Sequence, residues 1–215
     1  MGQTPKILLL VLAEALCCGV VAASFWLEDL RFSLPTPRPV NLVEPPMGDR
    51  VELREPLATA LGDRDAAPCV LHFFNPSCPC SRFNLDHLRR LVRTYGGRVR
   101  FVAILEGDDA AAVTVEFRKL KVGIDALPDV DGRIAASLGV YATPQAVVLD
   151  AADRVYYRGN YNASRYCVDR ETEFVRIAIE SCLAGNAPPR WPSIATTSQG
   201  CELPANLGAG QEDPR

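Results

Sequence analysis

Cys78 and Cys80 flank a single proline, Pro79, between an apolar run that ends at Phe74 and the start of a helical pattern. Two thiols one residue apart can close a small, strained disulfide, and strain makes such a bond easier to reduce. A turn that delivers a cysteine to the start of a helix also favours its thiolate, because the unpaired amide N–H groups and the helix dipole stabilise the negative charge. The chemistry these residues support is thiol–disulfide exchange. The pKa argument makes Cys78 the attacking thiolate and Cys80 the thiol that resolves the mixed disulfide, although Pro79 lacks the amide hydrogen that would steady a thiolate. Two blander readings stand beside this one: both cysteines packed as buried thiols, or each bridged to another cysteine. Soft-metal binding by the same pair is a sharper rival.

The chain carries eight cysteines in 215 residues, more than a reducing cytosol leaves idle, which favours an oxidising compartment. Lys6 precedes an apolar run of 20 residues, Ile7 to Trp26, broken only by Glu14. A helix of that length is about enough to cross a bilayer. Lys6 lies before the run and Glu28 and Asp29 after it, so the positive-inside tendency puts the N-terminus in the cytoplasm and the rest outside. A cleaved signal peptide is the competing reading, with Ala22, Ala23 and Ser24 as the small residues at a cut site; both readings export the domain. The net charge of −3, from 23 basic and 26 acidic residues, offers no concentrated basic field and sets nucleic acid partners aside.

The elements that must position the cysteines follow from periodicity. Residues 1–27 form the anchor or signal sequence. Residues 28–50 form a linker, and the stretch from Ser33 to Pro46 holds five prolines that fix φ and remove donors. Residues 51–189 form the domain, and residues 190–215 a Pro-, Gly- and Ser-rich surface tail. Within the domain Leu53 to Leu61 reads as a short helix, and Val70 to Phe74 as a strand buried on both faces. Leu85, Leu88, Leu91, Val92 and Tyr95 share one face of the next helix, which Gly96 and Gly97 stop. Val99 to Leu105 is a second strand, and Asp108 and Asp109 cap a helix to about Lys121. Alternation of this kind implies parallel strands joined by right-handed crossovers. A short helix from Asp131 to Leu138 then leads to Thr143 and Pro144, a hairpin of Ala146 to Leu149 with Val155 to Tyr157, and a final helix from about Arg170 to Leu183. His72 reads as a strand residue with a satisfied ring, and His87 as a helix-surface residue.

The stretch from Phe73 to Arg82, FFNPSCPCSR, resembles the active-site turn of the thioredoxin superfamily, and the likeness extends over roughly Cys69 to Gly185. ATPQAVVLD, from Ala142 to Asp150, resembles the loop in which that superfamily places a cis-proline; Pro144 matches it. The segment from Asp129 to Val155 is more similar to the bacterial redoxin and TlpA-like branch, with a CxC in place of the CxxC motif, so that Ser81 takes the usual resolving position. The resemblance implies a thioredoxin-like α/β fold, a central mixed sheet flanked by helices behind the N-terminal transmembrane helix. It further implies a thiol-disulfide oxidoreductase at the bacterial inner membrane with its domain in the periplasm, or secreted there after cleavage. Its partners would be protein or small-molecule thiols and disulfides, with a membrane thiol relay as electron source. No dissociable cofactor and no metal is implied.

In the resemblance the substrate groove is lined by Pro79, Thr143 and Pro144, and the backbone of Thr143 pairs with an extended substrate. The last hairpin strand ends on the same side, which places Tyr161, Arg165 and Cys167 at the groove. Cys167 is then a third redox cysteine or a groove residue; its alternative is a structural bridge to Cys69, Cys182 or Cys201. Cys182 reads as a packed thiol, and Cys201 as a residue that can pin the tail to the domain. Three rival functions remain open. One is a non-catalytic binding or scaffold module, and another is metal handling, weakened because His72 and His87 both lie too early for the downstream ligand of copper-carrying relatives. The third is a peroxidase, weakened because neither cysteine has a threonine three residues before it.

Overall fold

The computed structural model describes residues 3–62, 67–164 and 166–209. It falls into two units, divided between Leu34 and Pro35. The first is α1, Gln3–Ser33. Its stretch Lys6–Leu27 has 22 residues, a mean hydropathy of 2.4 and no buried side chain. At 1.5 Å per residue this stretch runs about 33 Å, long and apolar enough to cross a hydrocarbon core of about 30 Å.

The second unit begins with α2, Leu57–Leu61, and β1, Cys69–Phe74. Next come α3, Pro79–Phe83, α4, Leu85–Tyr95, β2, Arg100–Leu105, and α5, Ala110–Lys119. They lead to β3, Asp125–Pro128, α6, Arg133–Ser137, β4, Ala142–Thr143, β5, Gln145–Leu149, and β6, Val155–Gly159. The chain closes with α7, Phe174–Leu183, α8, Ser193–Thr196, β7, Cys201–Glu202, and α9, Pro204–Ala209.

The main sheet has the order β3-β2-β1-β5-β6. β1, β2 and β3 run parallel, while β5 is antiparallel to β1 and β6 to β5. Because successive residues of a strand face opposite sides, β1 feeds two cores. Val70 and Phe74 pack with Leu88 and Leu91 of α4 and Val175 and Ile179 of α7. Cys69, Leu71 and Phe73 pack on the other side with Leu57 and Leu61 of α2 and Ile134 of α6. All six residues of β1 are buried, which is why it reads as a continuous apolar run rather than an alternating one. The architecture is thioredoxin-like: a central mixed sheet flanked by helices, with the cysteine turn after β1 and the Thr143–Pro144 loop before β5.

Several features differ from the expectations. β3 went unanticipated because four residues are too few for periodicity, and Pro128 is tolerated only because it ends an edge strand. His87, expected on the helix surface, is 2% exposed and packs against the Tyr161 ring at 5.8 Å. From Pro35 on, the segment set apart as linker joins the domain, as do described parts of the tail. Arg158 of β6 donates to Glu44 Oε2 at 2.7 Å and to the Pro45 carbonyl at 2.9 Å, which holds the proline-rich segment down. Asn160 donates to the carbonyls of Ile194 and Thr197, and Ala195, Ser198 and Leu203 are buried. Composition marked residues 190–215 as surface, but a few well-placed side chains settle which short segments dock.

Candidate active site

The cysteine turn is built by local hydrogen bonds. Asn75 Oδ1 accepts from the Ser77 amide at 2.8 Å, and the Cys78 amide donates to the Asn75 carbonyl at 3.1 Å. These bonds bring the chain out of β1 and into α3 with Cys78 in extended conformation as the N-cap and Pro79 as the first helical residue, where its missing N–H costs nothing. On the other wall the Thr143–Pro144 peptide is cis, and the Thr143 carbonyl oxygen lies 3.4 Å from Cys78 Sγ.

Cys78 is disulfide-bonded to Cys201, with the two Cα atoms 6.0 Å apart. A sulfur in a disulfide has no hydrogen to donate, so the contact with Thr143 becomes a hydrogen bond only after reduction. Cys80 remains a thiol, and the sulfur atoms of Cys78, Cys80 and Cys201 all lie within 4.8 Å of one another. The expected Cys78–Cys80 bond is thus replaced by one to a residue 123 positions away, and the site holds three sulfurs rather than two.

The expected open pair is also covered. Cys78 and Cys80 are 2% and 3% exposed, because β7 lies beside them and pairs antiparallel with β4, matching Thr143 to Cys201 and Ala142 to Glu202. The strand edge that the resemblance reserves for an extended substrate is occupied by the chain's own residues. Gly200 permits this approach: at φ +142, a Cβ there would sit 2.1 Å from the Thr143 carbonyl oxygen. Gly200→Val is therefore expected to push β7 off β4. Peptide mapping under non-reducing conditions should show loss of most of the Cys78–Cys201 linkage and faster alkylation of Cys78. An unchanged linkage yield counts against the strand pairing.

The remaining site candidates disperse. Tyr161 is buried in the core, its hydroxyl 2.7 Å from His72 Nδ1, and does not line a groove. Burial lowers the His72 ring to a pKa of about 3, so the ring is neutral. His72 Nε2 has no partner among the described residues. His87 Nδ1 sits 3.0 Å from Arg90 and 3.4 Å from Glu173, and burial first, with Glu173 opposing it, brings this ring down to about 4. The arginine requires Nδ1 as acceptor, so the His87–Glu173 contact is not an ion pair. Cys167 donates to Asn84 Oδ1 at 3.2 Å, and burial pushes its thiol up to about 12, the opposite of a poised thiolate. It stays a thiol, as do Cys69 and Cys182, so none of the bridges weighed for it forms. Arg165 lies outside the described residues.

Two features of this region were missed in sequence. Phe83 at the end of α3 and Tyr166, both half-exposed, pack with ring centroids 5.0 Å apart and planes tilted by 58°. Glu106 follows β2, donates its amide to the Phe74 carbonyl at the base of the cysteine turn, and is 1% exposed. Burial, then the charge and hydrogen bond of Asp129, push its carboxyl up to about 9. Burial raises the Asp129 carboxyl as well, but Asp129 accepts from the amides of Ile134 and Ala135, which opposes that rise and leaves the proton on Glu106.

A family model described as "Domain of unknown function (DUF6436)" matches residues 49–202, nearly three quarters of the chain and all three clustered cysteines. The chain belongs to the DUF6436 family. No curated protein matches this DUF6436 chain. Among solved structures it is similar to an uncharacterized conserved protein from Geobacillus kaustophilus, with 22% identity over 79% of this chain and 97% of that one and a TM-score of 0.60. It is also similar to a hypothetical protein from Sinorhizobium meliloti 1021, with 21% identity over 75% of this chain and 96% of that one and a TM-score of 0.59. At these identities the likeness establishes a shared fold. A secreted Mycobacterium tuberculosis disulfide oxidoreductase aligns at a TM-score of 0.45 with 22% identity over 54% of this chain and 82% of that one, an overlap that carries nothing beyond the likeness itself.

Proposed function

We propose that this DUF6436 chain is a membrane-anchored, extracytoplasmic thiol-disulfide oxidoreductase in which Cys78 is the central sulfur. The observation that carries this reading is a disulfide at the start of a helix, beside the Thr143–Pro144 loop, with a third sulfur within 4.8 Å of both its atoms. A thiolate placed beside a disulfide exchanges with it without any cofactor, since the sulfurs carry the electrons. In the cycle a thiolate of the cluster attacks a partner disulfide, the partner's leaving sulfur takes the proton, and a neighbouring thiol of the cluster then displaces the partner to leave a protein disulfide at Cys78. Run backwards, the same steps oxidise a partner dithiol. The partners are protein or small-molecule thiols and disulfides. The apolar helix α1 supports an inner-membrane anchor with the domain in the periplasm, where a membrane thiol relay is the fitting electron source.

The test is turnover of a disulfide substrate by the full chain in detergent, wild type against Cys78→Ser and Cys80→Ser. Turnover lost in Cys78→Ser, and lowered but not abolished in Cys80→Ser, which keeps the Cys78–Cys201 couple, is the expected result; no turnover by the wild type sinks the proposal. A second reading, soft-metal handling, is favoured by the same three sulfurs, which become a thiolate donor set once the disulfide is reduced. Titration of the reduced chain with Cu(I) separates the two: binding no tighter than that of the C78S/C80S variant ends the metal reading.

A further inference from the structure

We infer that Cys201, in the tail strand β7, is the sulfur through which the site meets its partner, with Cys78 and Cys80 as the inner pair that exchanges with it. This rests on the thiol–disulfide reading and assigns its entry point. Of the three sulfur-bearing residues, Cys78 and Cys80 are buried to 2% and 3% exposure, whereas Cys201 is only partly buried. Exchange demands that the incoming thiolate reach one sulfur of the disulfide directly, so access decides which end of Cys78–Cys201 is attacked.

The tail does not need to leave for this to happen. Ser198 on one side of Cys201 and Leu203 on the other are buried, at 0% and 1% exposure. Gln145 donates to Ser198 Oγ at 2.6 Å, the Thr36 amide donates to the Ser198 carbonyl at 2.8 Å, and Gln199 bridges to Pro35. Cys201 is therefore held in place by contacts other than its own disulfide. These contacts also pair the tail on either side of Gly200: β4 pairs with Cys201 and Glu202, and residues 35–36 with Ser198 and Gln199. An extended peptide thus finds the β4 edge beside the sulfurs already taken by β7. The partner class that fits is a thiol or disulfide of glutathione size, which delivers one sulfur without strand pairing.

The exchange balances. A partner thiolate attacks Cys201 Sγ, the partner–Cys201 bond forms, and Cys78 leaves with the electron pair of the broken bond. A second partner thiolate then displaces Cys201, giving a partner disulfide and two protein thiols, whose protons come from the two partner thiols. In the oxidised protein the Cys80 thiolate can instead attack Cys78 Sγ, forming Cys78–Cys80 and releasing Cys201, with the proton passing from Cys80 to Cys201. That step moves the disulfide inward with no net oxidation.

The experiment uses the reduced full chain in detergent and glutathione disulfide as the probe, with adducts mapped by peptide mass spectrometry. The C78S/C80S variant retains Cys201 alone of the three, and the C78S/C201S variant retains Cys80 alone. The first is expected to form its glutathione adduct at least about tenfold faster than the second, the margin that access sets between a partly open and a sealed thiol. In parallel, Cys201→Ser should slow oxidation of the chain by about the same factor while still ending in a Cys78–Cys80 disulfide. Circular dichroism checks that each variant keeps its fold, and the C78S/C80S arm leaves the tail sequence untouched. Equal adduct rates, or a Cys201→Ser chain oxidised at the wild-type rate, overturns the role of Cys201 and leaves the oxidoreductase reading standing on Cys78 and Cys80. A wild-type chain that does not react with glutathione disulfide overturns both.

Discussion

Cys78→Ser is expected to lower the rate of disulfide exchange by about three orders of magnitude, the scale of effect seen when a covalent nucleophile is removed. The reason is positional. Cys78 is bonded to Cys201, and Cys80 lies within reach, so each disulfide that links the turn to either neighbour by way of Cys78 is lost at once. Loss of Cys80 or of Cys201 removes one of these routes and leaves the other, so either single variant should retain more exchange than Cys78→Ser does. The measurement is multiple-turnover reduction of glutathione disulfide in the presence of a dithiol, followed by mass spectrometry of the trapped species, since an adduct on Cys201 alone completes no cycle. A Cys78→Ser chain with more than about a tenth of the wild-type rate takes Cys78 out of the mechanism, because no remaining pair of sulfurs then needs it.

The second large effect is on stability against pH. Burial holds His72 and His87 neutral, with pKa values lowered from 6.5 to about 3 and about 4. The unfolded chain takes up protons at these rings below pH 6.5 while the folded chain does not, so their contribution is fully present above that pH and is lost as the pH falls. Glu106 acts with the opposite sign. Its carboxyl is raised from 4.5 to about 9, so the folded chain holds a proton that the unfolded chain has released across that interval, and stability falls as the pH rises. Each group contributes a slope of about 1.4 kcal/mol per pH unit. Between about pH 4.5 and 6.5 the two rings outweigh the carboxyl, and above 6.5 the carboxyl sets the slope until the raised thiols of Cys167 and Cys182 add to the fall near pH 9, so stability should peak near pH 6.5. Denaturant midpoints measured from pH 5 to 9 test this. Glu106→Gln keeps the shape of the protonated side chain without the titration, and is expected to flatten the alkaline limb and to steepen the acid limb, where the two rings then act unopposed. An alkaline limb unchanged by Glu106→Gln removes Glu106 from the account.

The cysteine turn was legible because its determinants are contiguous. An apolar strand, Asn75, Ser77, Cys78 and Pro79 form the turn from their own hydrogen bonds and φ preferences, and the following helix carries its own apolar stripe. Pro144 was legible for the same reason, since its neighbours make the loop and the strand after it. Tyr161 was misplaced because emergence from the correct strand does not decide where a side chain ends up. It turns into the core to meet His72, a partner 89 residues earlier. His87 was misplaced in the same way, because α7 and its preceding loop, bearing Glu173, cover a helix face that would otherwise be wet.

By itself, then, the sequence determined the apolar N-terminal helix, the alternation of strands and helices, and the delivery of Cys78 and Cys80 to the start of α3, because each follows from periodicity or turn chemistry within a dozen residues. Only the tertiary structure decided that Cys201 completes the site and that the sulfurs are covered. β7 is two residues long, has no periodicity to read, and reaches Cys78 across 123 positions through contacts that exist only once β4, Thr36, Gln145 and Asn160 are in place.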